Sequence, residues 1–242
     1  MTTPASRDEL LIAVLAGYLE GCRHVAVGAL SPFPGSAALL ARARTGGAMR
    51  VTVQGSRRLN TFSDGGRELF DCAAQGRIDA FFLGGGEIDG QGNVNLVGTG
   101  GYPNSENRYA GSFGSAYMAF VVPRIILFRE EHTARALVPR VQFISAPGTS
   151  PPNVWRRGGP VALVTGKAVF AFDRERARFT LASVHPWTDA TDVAASTGFD
   201  YDVPATVPAT PWPDAATLAL LRGPLSPQIA EVYPRFAARL AA

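Results

Sequence analysis

The chain has 242 residues, 46% hydrophobic and 18% charged, with a net charge of +3. That balance suits one large α/β domain or two small ones and excludes a disordered chain. Its arginines are scattered (Arg57-Arg58, Arg156-Arg157, then Arg174, Arg176 and Arg178), so no basic stripe supports nucleic-acid binding; a phosphate-bearing small molecule or a solvated surface accounts for them.

In chain order, Ser6 is placed to cap a helix running through Asp8 and Glu9 to about Gly21, with Leu10, Leu11, Val14, Leu15 and Tyr18 on its apolar face. A short strand follows over His24–Ala29, a helix over Gly35–Arg44, and a strand over Met49–Gln54. Arg67–Gln75 reads as a helix stopped by Gly76, and Asp79–Leu83 as a strand running into Gly84-Gly85-Gly86. This alternation predicts an α/β fold with an open, largely parallel sheet flanked by helices, and ligands in such sheets bind at the carboxyl ends of strands. Gly90–Tyr109 is a long polar, glycine-rich loop, a length that in compact domains points to function. A buried strand is expected over Arg124–Phe128. From Val161 the pattern becomes β-rich, with strands over Val161–Thr165, Ala168–Phe172 and Phe179–Val184 and a turn over Asp173–Arg176. A short helix over Asp189–Ser196, a proline-rich surface stretch over Thr206–Pro213, and helices over Asp214–Leu221 and Ser226–Leu240 complete the chain. One domain is expected over residues 1–242.

Three glycine-containing segments carry the chemical signal. Val27 to Gly35 leaves a strand and opens a helix; it suits either an anion at a helix N-terminus or a tight βα turn. It has no GxGxxG and no Walker lysine, which rules out a nucleotide fingerprint. Gly84-Gly85-Gly86-Glu87-Ile88-Asp89, with Gly90 to Asn95 after it, lets backbone approach a ligand closely or simply makes a turn. Glu87 is a candidate catalytic carboxylate, or the partner of an arginine. Gly111-Ser112-Phe113-Gly114 can present backbone N–H groups to a developing oxyanion, or be a strand-entry turn. Phe33, Phe113 and Tyr117 are candidate pocket walls or packing residues.

His24 reads as a core or rim residue, His132 as solvated within Glu130-Glu131-His132, and His185, before Pro186, as a turn residue. Three separated histidines and two distant cysteines, Cys22 and Cys72, predict no metal site and a reducing, cytoplasmic setting. Neither a signal peptide nor an apolar run approaching the roughly 20 residues of a membrane span is expected, so no membrane partner is either.

Together these segments resemble the β subunit of class I CoA-transferases, over roughly Gly28 to Gly198. Phe82 to Asn93 resembles the family's strand, glycine turn and Gly-Asn segment; Gly111-Ser112-Phe113-Gly114 its Gly-x-Gly-Gly loop; and His185-Pro186 through Asp192-Val193 to Thr197-Gly198-Phe199 its late signature. The resemblance implies an acyl-CoA thioester as substrate, no permanently bound cofactor, and an α-type partner subunit in an αβ or α2β2 assembly. It implies attack on the thioester by a glutamate of a Ser-Glu-Asn-Gly motif, giving an anhydride and then a glutamyl-CoA thioester. The oxyanion is held by a loop amide, a role that falls on Gly114. Gln54, after the strand Val51-Thr52-Val53, occupies the glutamate's place, and an amide is no nucleophile. Ser105-Glu106-Asn107 looks like the missing motif in another segment.

By resemblance, Gln54, Gly114 and Glu87 are the catalytic candidates. Gly84, Gly85, Gly86, Gly111, Ser112, Phe113 and Glu106 are the candidates for binding substrate or CoA. The same departure at position 54 resembles a branch that opens cyclic β-diketone rings of CoA thioesters in steroid catabolism, with the working glutamate on the α subunit. A transferase, such a hydrolase and a non-catalytic structural subunit are the three functional expectations.

Overall fold

The computed structural model describes residues 4–241, which divide into two compact units. The elements in chain order are α1 (Arg7–Gly17), β1 (His24–Val27), α2 (Pro32–Arg44), β2 (Arg50–Val53), α3 (Gly65–Ala74) and β3 (Ala80–Leu83). Then come β4 (Glu87–Asp89), β5 (Val94–Asn95), β6 (Gly98–Thr99), β7 (Asn107–Arg108), α4 (Ser115–Val121), β8 (Arg124–Arg129) and β9 (Leu137–Val138). The last are β10 (Pro160–Thr165), β11 (Ala168–Asp173), β12 (Arg178–Val184), α5 (Ala190–Ser196), α6 (Ala215–Arg222), α7 (Ser226–Val232) and α8 (Pro234–Ala241).

The first unit comprises 4–72, 77–82 and 211–241. Its strands β1, β2 and β3 are short, fully apolar on both faces apart from His24, Arg50 and Thr52, and pair in parallel with β1 central. Burial on both faces is what parallel strands require, and α2 supplies one cover by packing on β1 and β2. Ser6 caps α1 as expected, and the structure completes the cap as a capping box with Glu9. Glu9 also receives Arg222 of α6, at 2.6 Å, tying the C-terminal helices to α1. His24 is buried and bridges Thr52 Oγ1 and the Arg77 carbonyl, confirming its core placement. Phe33 packs in the core, edge-on to Phe236 at 4.7 Å. The helix expected over Ser226–Leu240 is two helices: Pro234 has no N–H to donate to an α-turn, and Tyr233 before it leaves helical geometry.

The second unit comprises 73–76 and 83–210. Here β8 and β10 are parallel, while β10, β11 and β12 run antiparallel as the expected β-rich segment. The turn at Asp173 is an Asx turn, its carboxylate accepting from the Glu175 and Arg176 amides. The predicted α/β class, with largely parallel strands flanked by helices, is borne out. The loop expected over Gly90–Tyr109 instead contains β5, β6 and β7. The Gly111–Tyr117 segment leads into a helix, α4, and not into a strand.

His132 corrects the sequence expectation most sharply: it is 4% exposed, hydrogen-bonded to Thr165 Oγ1 at 2.7 Å and Thr197 Oγ1 at 2.9 Å. Its charged neighbour Glu131 is held by Arg129 and Arg135, so the charge run does not expose the imidazole. His185 is also fully buried, between Thr210 Oγ1 and the Thr165 carbonyl. Burial, helped by the nearby Lys167 charge, pushes His132 down to about 4 from 6.5. Protonation therefore favours the unfolded chain. The stability contributed by neutral His132 is complete above pH 6.5 and is lost as pH falls through about 4, to a limit of about 3 kcal/mol. Urea denaturation at pH 7 and pH 4.5 is expected to show that loss in the wild type and a smaller slope in His132→Gln.

Candidate active site

In the first unit the sequence-predicted position is the turn after β2. The Gln54 amide donates to the Val27 carbonyl at 3.0 Å, extending the β1–β2 ladder by one residue and fixing half-buried Gln54 at the carboxyl end of β2. Gly55 then takes φ +91°, which a residue with a side chain resists. Ser56 Oγ donates to Glu231 and accepts from the Arg58 and Leu59 amides, and the Arg57 amide donates to the same Glu231 carboxylate at 2.7 Å. The turn is thus rigidly built. The neighbouring start of α2 is a poor anion site, because Pro32 and Pro34 have no N–H and the Gly35 amide donates to the Ser31 carbonyl.

The remaining site candidates, Gly84 to Glu87, Glu106 and Gly111 to Gly114, lie in the second unit. The three glycines after β3 admit the chain's own atoms: a Cβ on Gly84 would lie 2.7 Å from the Phe128 carbonyl oxygen, and one on Gly85 2.8 Å from that of Asn95. A Cβ on Gly86 would overlap the Tyr109 ring. The close approach these glycines permit is internal packing. Beyond them β4 buries two carboxylates. Asp89 accepts from the Gln91, Asn93 and Val141 amides and from Asn93 Nδ2, so the Asp-Gly-Gln-Gly-Asn run is a self-closing turn. Glu87, 4% exposed, accepts from Asn95 Nδ2 at 2.7 Å, the Gln142 amide at 2.9 Å and Gln142 Nε2 at 3.2 Å. The arginine considered as its partner is replaced by these two amide side chains.

Glu87 lies on the wall of a cavity of about 710 Å³, with Tyr109, Arg129, Glu131, Arg135 and Gln142. Arg129 reaches Glu131 at 2.6 Å and the Gly85 carbonyl at 3.0 Å, and Arg135 reaches Glu131 at 2.9 Å. Hydrogen bonds from Arg135 and Arg129 outweigh burial and hold the Glu131 carboxyl at about 2, so it stays ionised and carries no proton at neutral pH. The sequence reading missed this wall. Its signal was the Glu131-to-Arg135 spacing, hidden by treating the charged run as solvated.

The loop over Gly111–Gly114 is anchored by the Gly111 amide on the Leu96 carbonyl at 2.9 Å. It turns through Gly111 at φ +93° and Phe113 at φ +44°, placing the Phe113 ring 81% exposed. The Ser115 amide closes the turn on the Ser112 carbonyl, and Gly114 caps α4. Glu106 is exposed and packs its stem against Gly100, while Asn107 pairs with Thr99 in the β6–β7 hairpin. Ser105-Glu106-Asn107 is therefore hairpin sequence. The structure brings Gly86 and Glu87 to one cavity; Gln54 belongs to the other unit. Among the described residues no cluster of His, Cys, Asp and Glu is arranged to hold a metal, and no helix is long and apolar enough to cross a membrane.

This α/β chain matches a family model. That model, described as Coenzyme A transferase, covers residues 29–196, and the chain belongs to this family. The chain is 33% identical over 153 residues to the B-subunit of glutaconate CoA-transferase from Acidaminococcus fermentans, covering 60% of this chain and 56% of that relative. It is 28% identical over 163 residues to the B-subunit of 3-oxoadipate CoA-transferase from Pseudomonas knackmussii, covering 64% of this chain and 62% of that relative. It thus spans less than two thirds of the length of the curated relatives it matches. Among solved structures, the decarboxylase AibA/AibB matches with a TM-score of 0.77 at 26% identity, over 98% of this chain and 99% of that one.

If the glycines serve packing, Gly84→Ala destabilises the protein without any ligand present. The new methyl meets a backbone carbonyl that cannot move aside, and the expected loss is about 1–3 kcal/mol, read by urea denaturation of the isolated chain.

Proposed function

We propose that this chain, taken as one β-type domain over 1–242, is the β subunit of a heteromeric CoA-transferase. It acts with an α-type subunit, as αβ or α2β2, on an acyl-CoA thioester and a carboxylic acid, in the cytoplasm and with no permanent cofactor. The match of residues 29–196 to the CoA-transferase family carries this proposal. The rigid turn at the carboxyl end of β2 is consistent with it, since a substrate-contacting group there, the Gln54 amide, is held without reorganisation. Gly114 of the anchored loop offers its amide to the thioester oxyanion, and Gly111, Ser112 and Phe113 shape the approach. Gly84, Gly85 and Gly86 form the backing of that region, and Glu106 lies on its exposed hairpin.

Gln54 favours a second proposal. An amide at this turn can donate a hydrogen bond to a carbonyl oxygen or accept one from water, but cannot form the anhydride. With a carboxylate of the partner as base, the same site adds water to a CoA-linked substrate such as a cyclic β-diketone.

Intact mass of the partner-bound complex after exposure to a panel of acyl-CoAs separates the two. Transferase chemistry gives a CoA-sized adduct that hydroxylamine removes, and Gln54 predicts that it lies on the partner chain. Thioester or ring cleavage with no adduct supports the hydrolase. Gln54→Glu is expected to move a hydroxylamine-sensitive adduct onto this chain. No consumption of any acyl-CoA would overturn both enzymatic proposals.

A further inference from the structure

We propose that Glu87 is a positioning residue: it holds the 95–111 segment, and through it the Gly111–Gly114 loop, and does not itself react. This rests on the loop having the role proposed above. Among the described residues Glu87 is a buried carboxylate without a cationic partner, since both cations on its cavity wall, Arg129 and Arg135, are paired with Glu131. A buried charge of this kind is costly, and its three N–H donors are what offset the cost.

Those donors lead in two directions. Asn95 gives its Nδ2 to both Glu87 and the Gly98 carbonyl, while its Oδ1 accepts from the Val97 and Gly98 amides. Asn95 so clamped shapes a turn whose carbonyls carry the next layer: Leu96 accepts from the Gly111 amide at 2.9 Å and Val97 from the Tyr109 amide at 3.0 Å. Gln142 gives its backbone and side-chain N–H groups to Glu87, and its Oε1 accepts from the Gly100 amide at 2.8 Å. The carboxylate therefore sets the orientation of both amide side chains, because only an acceptor-only group satisfies all three donors. In Glu87→Gln an N–H₂ replaces one acceptor. Gln142 must then face a donor or flip its own amide, and flipping strands the Gly100 N–H.

The test uses the complex with its partner subunit and the variants Glu87→Gln, Gln142→Leu and their double. Two readouts are taken, deuterium uptake over residues 96–114 and steady-state kinetics across pH on a turned-over acyl-CoA. Each single variant is expected to raise uptake over 96–114 while the thermal transition stays cooperative, and to lower kcat roughly 10- to 100-fold with KM little changed. The double variant should be no worse than the more affected single, and the acid limb of the pH profile should not move. Loss of activity with unchanged uptake overturns the inference. So does an acid limb that vanishes in Glu87→Gln but persists in Gln142→Leu, which would make Glu87 a proton carrier. If Glu87→Gln fails to fold, Gln142→Leu decides by the same uptake criterion. If the wild-type complex consumes no acyl-CoA, the proposed function fails, while the uptake result still decides whether Glu87 holds this segment.

Discussion

The second unit depends on satisfying backbone amides where no ladder can reach them. Strand β4 has three residues, and the segments that cross it, 90–100 and 139–148, are too irregular to pair along their length. Two buried side chains of β4 do this work. Asp89 collects the Gln91, Asn93 and Val141 amides, and Glu87 collects the Gln142 amide. Asn93 passes the connection on by accepting from the Gly148 amide. Buried N–H groups left unpaired would each cost about 1–3 kcal/mol, so these carboxylates belong to the fold as much as any apolar residue does.

A second constraint explains why the region is rich in glycine. Neighbouring segments pass so close to one another's backbone that several positions have no room for a side chain. Gly84 lies against the Phe128 carbonyl, Gly85 against Asn95, and Gly198 beneath Leu137, to whose carbonyl it donates at 2.7 Å. The polar cavity beside Glu87 is the space left between segments that are held apart by side-chain hydrogen bonds and not filled by apolar packing.

Elements whose order depends on local pattern were legible in the sequence. The Ser6 cap of α1, the strands β1, β2, β3 and β8, and the turn at Asp173 all follow from spacing and turn chemistry. What escaped depends on distant partners. Strands β4 and β9 pair across some fifty residues of sequence and are two or three residues long, which leaves no periodicity to read. Helix α4 follows Gly111-Ser112-Phe113-Gly114, where small residues suggest a turn and only tertiary packing of Met118 and Val121 decides for a helix. His132 was misjudged because charge in the neighbouring positions says nothing about which way an imidazole faces. Of the candidate site, the sequence offers residues but not their surroundings: Glu87 and the glycines are met by distant parts of the chain, which local pattern does not reveal.

That division bears on what a family resemblance can carry. The late signature, His185-Pro186 to Thr197-Gly198-Phe199, is spent on the interior. His185 joins Thr210 to the Thr165 carbonyl, Thr197 holds His132, and Phe199 stacks on Phe179 at 5.5 Å. The Gly-Asn segment after β4 is likewise a closed hydrogen-bonded turn. Residues committed in this way preserve the scaffold whatever reaction it supports. Position 54 is different: its backbone is fixed by β1 while its side chain is half-buried at a strand end. A glutamine there has the shape of a glutamate but carries N–H donors in place of one acceptor oxygen and is no nucleophile. Under the proposed function, one atom at this turn decides the chemistry, while the segments that carry the resemblance hold the protein together.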